Sequence, residues 1–273
     1  MSFQVIYKEA LRGQGGTERF ASYHWHLRSL PARKTFKMAE KNHVYQYSLV
    51  NALMAGVSAS GTTVSSLLKH GTQGIGTFTH IDGEMILLDG TVYQLRGDGS
   101  IREAGDDEQL PYAVATFFEP QETVHAKLES KDSIDGVLEK FNSHAQNLFM
   151  SYRIDGHFKH LKCRTVRGEE YPGQSLAEMG KQQREETYSD IEGTIVGFLA
   201  PKAWQGFFVA GEHMHFVDKE RKVGGHVLEL RTEKEVEMGI ACVKDVHIEL
   251  PTSEQFNSAK MTTDDAGLKG VEG

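Results

Sequence analysis

Apolar positions along this chain recur in two rhythms, and the rhythm changes several times. Over residues 74–103, "GIGTFTHIDGEMILLDGTVYQLRGDGSIRE", short apolar runs are cut by Asp-Gly pairs at 82–83, 89–90 and 98–99. An Asp-Gly pair between apolar runs marks a tight reversal, because glycine accepts the positive φ that such turns need. The stretch predicts a succession of short strands. Further strands are predicted over 112–118, "YAVATFF", and 149–166, "FMSYRIDGHFKHLKCRTV". Between them, 133–148 has helical spacing, with Ile134, Val137, Leu138 and Phe141 on one side. Upstream, 43–57 fits a strand followed by a helix, or a helix throughout. The stretch 62–71, "TTVSSLLKHG", predicts a short helix capped by Thr62 or Thr63 and ended by Gly71. The first forty residues show no usable period.

A polar stretch, 167–188, carries a Pro-Gly pair and predicts a helix around 175–185. A second block of strands follows at 193–201, 206–218, 224–233 and 239–251, and then a polar tail, 252–273, helical at its start. The order implies an α+β fold of two mixed β-sheets with flanking helices, divided in the polar connection. The expected domains are 1–175, a mixed-sheet α+β domain, and 176–273, a β-rich domain with the tail.

Composition narrows the class. The chain has 273 residues, 25% charged and 39% hydrophobic, with net charge −8. That is ordinary for a globular protein, and no dense run of Lys and Arg points to nucleic acid. Two cysteines, Cys163 and Cys242, lie in apolar strand-like stretches and read as reduced and structural. No secretory leader and no run of 18 apolar residues is found, so a cytoplasmic protein without a membrane span is expected.

The densest candidate chemistry is in "GEHMHFVDKERKVGGHVLEL", 211–230. His213 and His215 lie two apart on a predicted strand and project to one face. With the hairpin centred between Glu220 and Arg221, His215 stands opposite His226, with His213 as its diagonal neighbour. Three imidazoles then converge as zinc ligands do, leaving a fourth position open. Copper, nickel and iron also accept imidazole. The pattern depends on register, because a slip of one residue at Gly224–Gly225 sends His226 to the other face. Other motifs are weaker. "GVSASGTT", 56–63, has phosphate-loop glycine spacing but Thr62 where that loop needs Lys. "GTQGIG", 71–76, precedes strands rather than a helix. "HWH", 24–26, lacks a third histidine at hairpin distance, and His157 and His160 are placed on opposite faces of one strand.

From about residue 43 onward the chain resembles the acetolactate decarboxylase family. The resemblance is carried by "YQYSLVNALMAG", "GIGTFTHIDGEMILLDGTVYQLRGDG", "RIDGHFKHLKCRTV", "GTIVGFLAP" and "GEHMHFVDKERKVGGHVLE". It implies zinc held by His213, His215 and His226, with Arg164, Glu84 and Thr77 in the active site. A further glutamate of the C-terminal tail best matches Glu272, with Glu254 as the alternative. The implied activity is decarboxylation of 2-acetolactate, a 2-hydroxy-3-oxo acid, to (R)-acetoin by a homodimer. Two rivals are weighed against it: a non-catalytic zinc or small-ligand binder of the same fold, and a zinc-dependent hydrolase. Retention of Glu84 and Arg164 beside three histidines argues against the first. The second lacks a recognisable substrate-binding signature.

Overall fold

The computed structural model describes residues 41–141, 147–174 and 176–261. Its strands are β1 (Val44–Tyr47), β2 (Thr62–Thr63), β3 (Gln73–Thr77), β4 (Glu84–Leu88), β5 (Thr91–Leu95), β6 (Ile101–Glu103), β7 (Gln109–Leu110), β8 (Tyr112–Thr116), β9 (Glu122–Ala126), β10 (Phe149–Thr165), β11 (Arg184–Ala200), β12 (Gly211–Asp218), β13 (Gly224–Arg231), β14 (Val236–Val243) and β15 (Val246–Glu249). The helices are short: α1 (Val50–Met54), α2 (Val64–Leu67), α3 (Ser133–Phe141), α4 (Leu176–Met179) and α5 (Glu254–Ser258).

Two large sheets carry the fold. The first has seven strands in the order β15-β1-β8-β3-β4-β5-β6, with β15 and β1 parallel and the other pairs antiparallel. The second has the order β11-β12-β13-β10-β14-β9, all antiparallel, and an additional β11–β10 pairing closes β10, β11, β12 and β13 into a ring. Closure leaves β10 bonded on both sides over most of its length and β11 over 193–199, which fixes their register.

Alternation sorts side chains into three cores. Between the sheets lie Val44, Ile75, Ile86, Leu88 and Leu95 from the first, and Val196, Phe198, Val217 and Val243 from the second. Within the second sheet, Tyr152, Phe158, Met214, Phe216 and Val227 pack with Ile134 and Leu138 of α3. The outer face of the first sheet, with Tyr45, Met85, Leu87 and Val92, is covered by Val64 and Leu67 of α2. On β12 the even positions 214 and 216 thus face one core, while the odd positions face the other sheet.

Local readings can be followed residue by residue. The stretch 43–57 is a strand and then a helix. Thr63 caps α2 by accepting from the Ser66 amide at 3.2 Å. Asp89 and Gly90, at φ 52° and 82°, form the two-residue reversal that pairs Leu88 with Thr91. The polar connection differs from expectation. Its helix is a single turn, α4, continued by a 3₁₀ turn at Gly180–Gln182, and β11 starts at Arg184, not at 193. Residues 184–189 bond to β10 through the pairs from Arg184↔Thr165 to Ser189↔His160. Most of these side chains are at least partly exposed, so the strand carries no apolar signal. β9 carries no apolar signal for the same reason: it is an edge strand with an exposed or half-exposed "ETVHA".

The expected boundary at 175/176 does not separate the sheets. β10, from before it, is bonded to β11, β13 and β14, and β15, from after it, is bonded to β1. Hydrophobic alternation reports which face of a strand is covered, but not which strand is its neighbour.

Candidate active site and metal centre

The three histidines lie on the face of the second sheet that meets the first. His215 is paired directly with His226, followed by Phe216↔Gly225 and Val217↔Gly224. No slip occurs at the two glycines. Gly225 is required there: an added Cβ would stand 2.5 Å from the Arg164 carbonyl oxygen. The bulge lies instead at Leu228, where β13 shifts against β10 between Lys162↔Glu229 and Cys163↔Val227.

The imidazole rings are 5.1 Å (His213–His215), 5.0 Å (His213–His226) and 5.5 Å (His215–His226) apart, centre to centre. One ring nitrogen from each lies within 4.8 Å of the other two, and all three residues are buried. Burial, then the Arg164 charge, lowers His213 to about 3, and the same two causes hold His226 well below its ordinary value. Both rings are therefore neutral, which is the form that ligates a metal. His215 Nδ1 donates to the Met85 carbonyl oxygen at 2.8 Å. A carbonyl can only accept, so Nδ1 carries a proton, and Nε2 is the nitrogen left to act as a ligand. Glu84 Oε2 lies 3.5 Å from that Nε2. A carboxyl group this close to the imidazoles is a surrounding that suits a bound cation. The donor set thus fits a divalent ion.

Three further expected residues lie on neighbouring strands. Arg164 on β10 is paired directly with His226 and is 2% exposed. Its Nη1 donates to Gln183 Oε1 at 3.4 Å. Glu84 opens β4 and is 7% exposed; Thr77 closes β3 directly opposite it. The Thr77 hydroxyl donates to the Gly83 carbonyl at 2.7 Å, bracing the turn that leads into Glu84. Glu272 lies outside the described residues. Glu254, its alternative, is exposed on α5, whose Gln255 donates to Gly56 O at 2.9 Å and accepts from the Ala59 amide at 3.3 Å. The Met85 carbonyl and Gln183 escaped sequence reasoning. The first is backbone, and the second sits in a polar stretch with no pattern. Of the weaker motifs, His24 and His26 lie outside the described residues, and His160 meets Glu229 at 3.0 Å near the surface.

The family model for alpha-acetolactate decarboxylase matches residues 44–263. An alpha-acetolactate decarboxylase of Klebsiella aerogenes is 38% identical over 236 residues, 84% of this chain and 88% of that one. One from Bacillus licheniformis is 33% identical over 253 residues, 90% of this chain and 99% of that one. The crystal structure of alpha-acetolactate decarboxylase from Bacillus subtilis strain 168 superposes with a TM-score of 0.81 at 32% identity, covering 85% of this chain and 99% of that chain. Likeness of this extent spans both sheets and every described site residue, and the chain belongs to the alpha-acetolactate decarboxylase family.

Proposed function

We propose that the chain decarboxylates 2-acetolactate to (R)-acetoin with zinc held by His213, His215 and His226. One observation carries this reading: three buried imidazoles share a face with a buried arginine on one side and a buried carboxylate on the other. The substrate is a β-keto acid, so the electrons of the broken C–C bond flow to the ketone oxygen. A zinc ion on the imidazoles supplies the Lewis acidity that makes that oxygen an electron sink.

Arg164 holds the carboxylate. Its guanidinium offers two parallel donors that match the two carboxylate oxygens, and burial strengthens the attraction. The hold weakens as the carboxylate becomes neutral CO2, so it orients the breaking bond without retaining the product. Glu84, on the other sheet and 3.5 Å from His215 Nε2, is assigned to the relay that protonates the carbon left behind. Arginine's very high pKa makes it a poor acid, so a carboxylic acid or a relayed water is the easier proton source. Thr77 gives its hydrogen to Gly83, so the role assigned to its oxygen toward a substrate hydroxyl is that of an acceptor. Glu272 is assigned as the second carboxylate of the site on the family resemblance. Glu272→Gln is expected to lower turnover while metal content stays whole.

The test is an acetoin colour assay on purified protein given acetolactate, before and after chelation and with zinc restored. Acetoin that disappears with the metal and returns with it supports the reading. Full turnover in protein shown to be metal-free removes the metal from the mechanism.

A further inference from the structure

The turn that precedes Glu84 has an unusual backbone. His80 and Ile81 are consecutive residues at φ 63° and 54°. Left-handed backbone is uncommon outside glycine, and for a β-branched residue such as Ile81 it is a true outlier. Such a conformation persists where its surroundings impose it. Ile81 is 1% exposed and belongs to the core between the sheets, so its side chain cannot swing out to relieve the turn.

The turn is bonded to a carboxylate from another segment. Glu169 Oε1 accepts from His80 Nδ1, and the Glu169 side chain is only 5% exposed. Its Oε2 accepts from the Ser58 hydroxyl at 3.1 Å and from the Gly173 amide at 3.3 Å. The backbone is tied as well: Glu169 N donates to His80 O at 2.7 Å, and His80 N to Ser58 O at 2.9 Å. Glu169 follows Arg164 by five residues on the same segment, and His80 precedes Glu84 by four. One side chain therefore joins the strand that carries the arginine to the turn that carries the carboxylate.

We propose that Glu169 is a positioning residue for decarboxylation: through His80 it holds the left-handed turn and so sets Glu84 against Arg164 and the histidines. The proposal rests on the reading of Glu84 as an active-site group. Glu169 itself touches Ser58, His80 and Gly173, not the reacting atoms.

Glu169→Ala is expected to lower kcat by about 10- to 100-fold, the scale of a catalytic group displaced by an ångström. KM and metal per chain should stay near the parent's, because Arg164 and the histidines are anchored in their own ladders. Glu169→Gln keeps an acceptor for His80 and a polar partner for Ser58, and it is expected to restore most of kcat. His80→Gly removes the other half of the contact while leaving a residue at ease in left-handed backbone. It should match Glu169→Ala, and the double variant should be no worse than either, because both act through one contact. Parent-like kcat in Glu169→Ala, losses that multiply in the double variant, or a loss that tracks metal content overturns the proposal. If Glu169→Ala fails to fold, His80→Gly against His80→Gly/Glu169→Gln decides in the same way. Glu84→Gln is run alongside. If it turns over normally, the reading of Glu84 falls and the proposal with it; if it is inactive while Glu169→Ala is normal, only the proposal falls.

Discussion

The hairpin of β12 and β13 and the turn between β3 and β4 deliver their groups to the same site by opposite means. The histidines sit inside a closed antiparallel ring: His215 and His226 have ladder partners on both sides, and His213 is paired with Phe198 of β11. Glu84 follows a turn that leaves the ladder, bends through two left-handed residues and is held by side chains from distant segments. A metal needs several donors fixed at short range, and a ladder provides that from local sequence alone. A carboxylate that must face another sheet needs an adjustable approach, and a braced turn provides it at the cost of strain.

Removing a ladder-held ligand tests the first half of this contrast and carries the largest expected effect. His213→Ala, His215→Ala and His226→Ala should each abolish tight metal binding and turnover together. The loss should exceed the ~10–100-fold that accompanies loss of an outer hydrogen-bond partner. Elemental analysis beside the acetoin assay measures both. Any one variant that keeps a full metal equivalent and normal turnover removes that histidine from the ligand set.

Arg164 separates holding substrate from holding metal, since it shares the histidine face but belongs to β10. Arg164→Lys keeps a charge and loses the planar fork. Its kcat/KM should fall by about 10²-fold, the scale of losing one well-placed donor, with metal content unchanged. A parent-like kcat/KM would show that no carboxylate is gripped there.

The same contrast explains what was legible before folding. His213 and His215 at a spacing of two, and His226 across a charged turn, gave both face and partner, and the observed His215↔His226 pair follows that register. The Asp89–Gly90 reversal was legible for the same reason, as local chemistry with a local outcome. Glu84, Thr77 and Arg164 had no such signature and were found through the family resemblance. Strand pairing was illegible as well. Residues 184–192 form a strand because β10 is there to bond with, and no residue among them names β10. The clamp at Glu169 was hidden most completely, because it joins residues 89 positions apart in a stretch that reads as polar connection.

Burying neutral histidines also has a pH signature in the metal-free protein. His213 is lowered from 6.5 to about 3, and His226 is lowered as well. The unfolded chain binds protons at these positions below about pH 6.5, and the folded chain does not. Stability from each is thus intact above pH 6.5 and is lost as pH falls toward the folded value. The slope is at most about 1.4 kcal/mol per pH unit for each residue. Urea unfolding of chelated protein from pH 7 to 4 should show the fall, and His213→Asn should flatten it. An unchanged slope would mean that the apo site opens and lets the rings protonate.

The smallest expected effect belongs to the brace on the turn. The Thr77 hydroxyl gives its hydrogen to Gly83 O at 2.7 Å, and Thr77 stands opposite Glu84 in the ladder. Thr77→Val keeps the shape and the β-branch and deletes that bond, leaving the Gly83 carbonyl short of a partner. The stability cost should be about 1–3 kcal/mol, the penalty for an abandoned buried acceptor. Thr77→Ser keeps the hydroxyl and should recover the stability apart from the methyl's packing. Activity separates the two roles open to this side chain. If Thr77 only braces the turn, Thr77→Val lowers kcat and leaves KM alone. If its oxygen also accepts from the substrate hydroxyl, KM rises as well, and Thr77→Ser restores both. A Thr77→Val enzyme with parent-like kcat, KM and unfolding midpoint would show that β3 holds the turn through its ladder bonds alone, which would bring the Glu84 side of the site closer to the histidine side than the hydrogen bonding indicates.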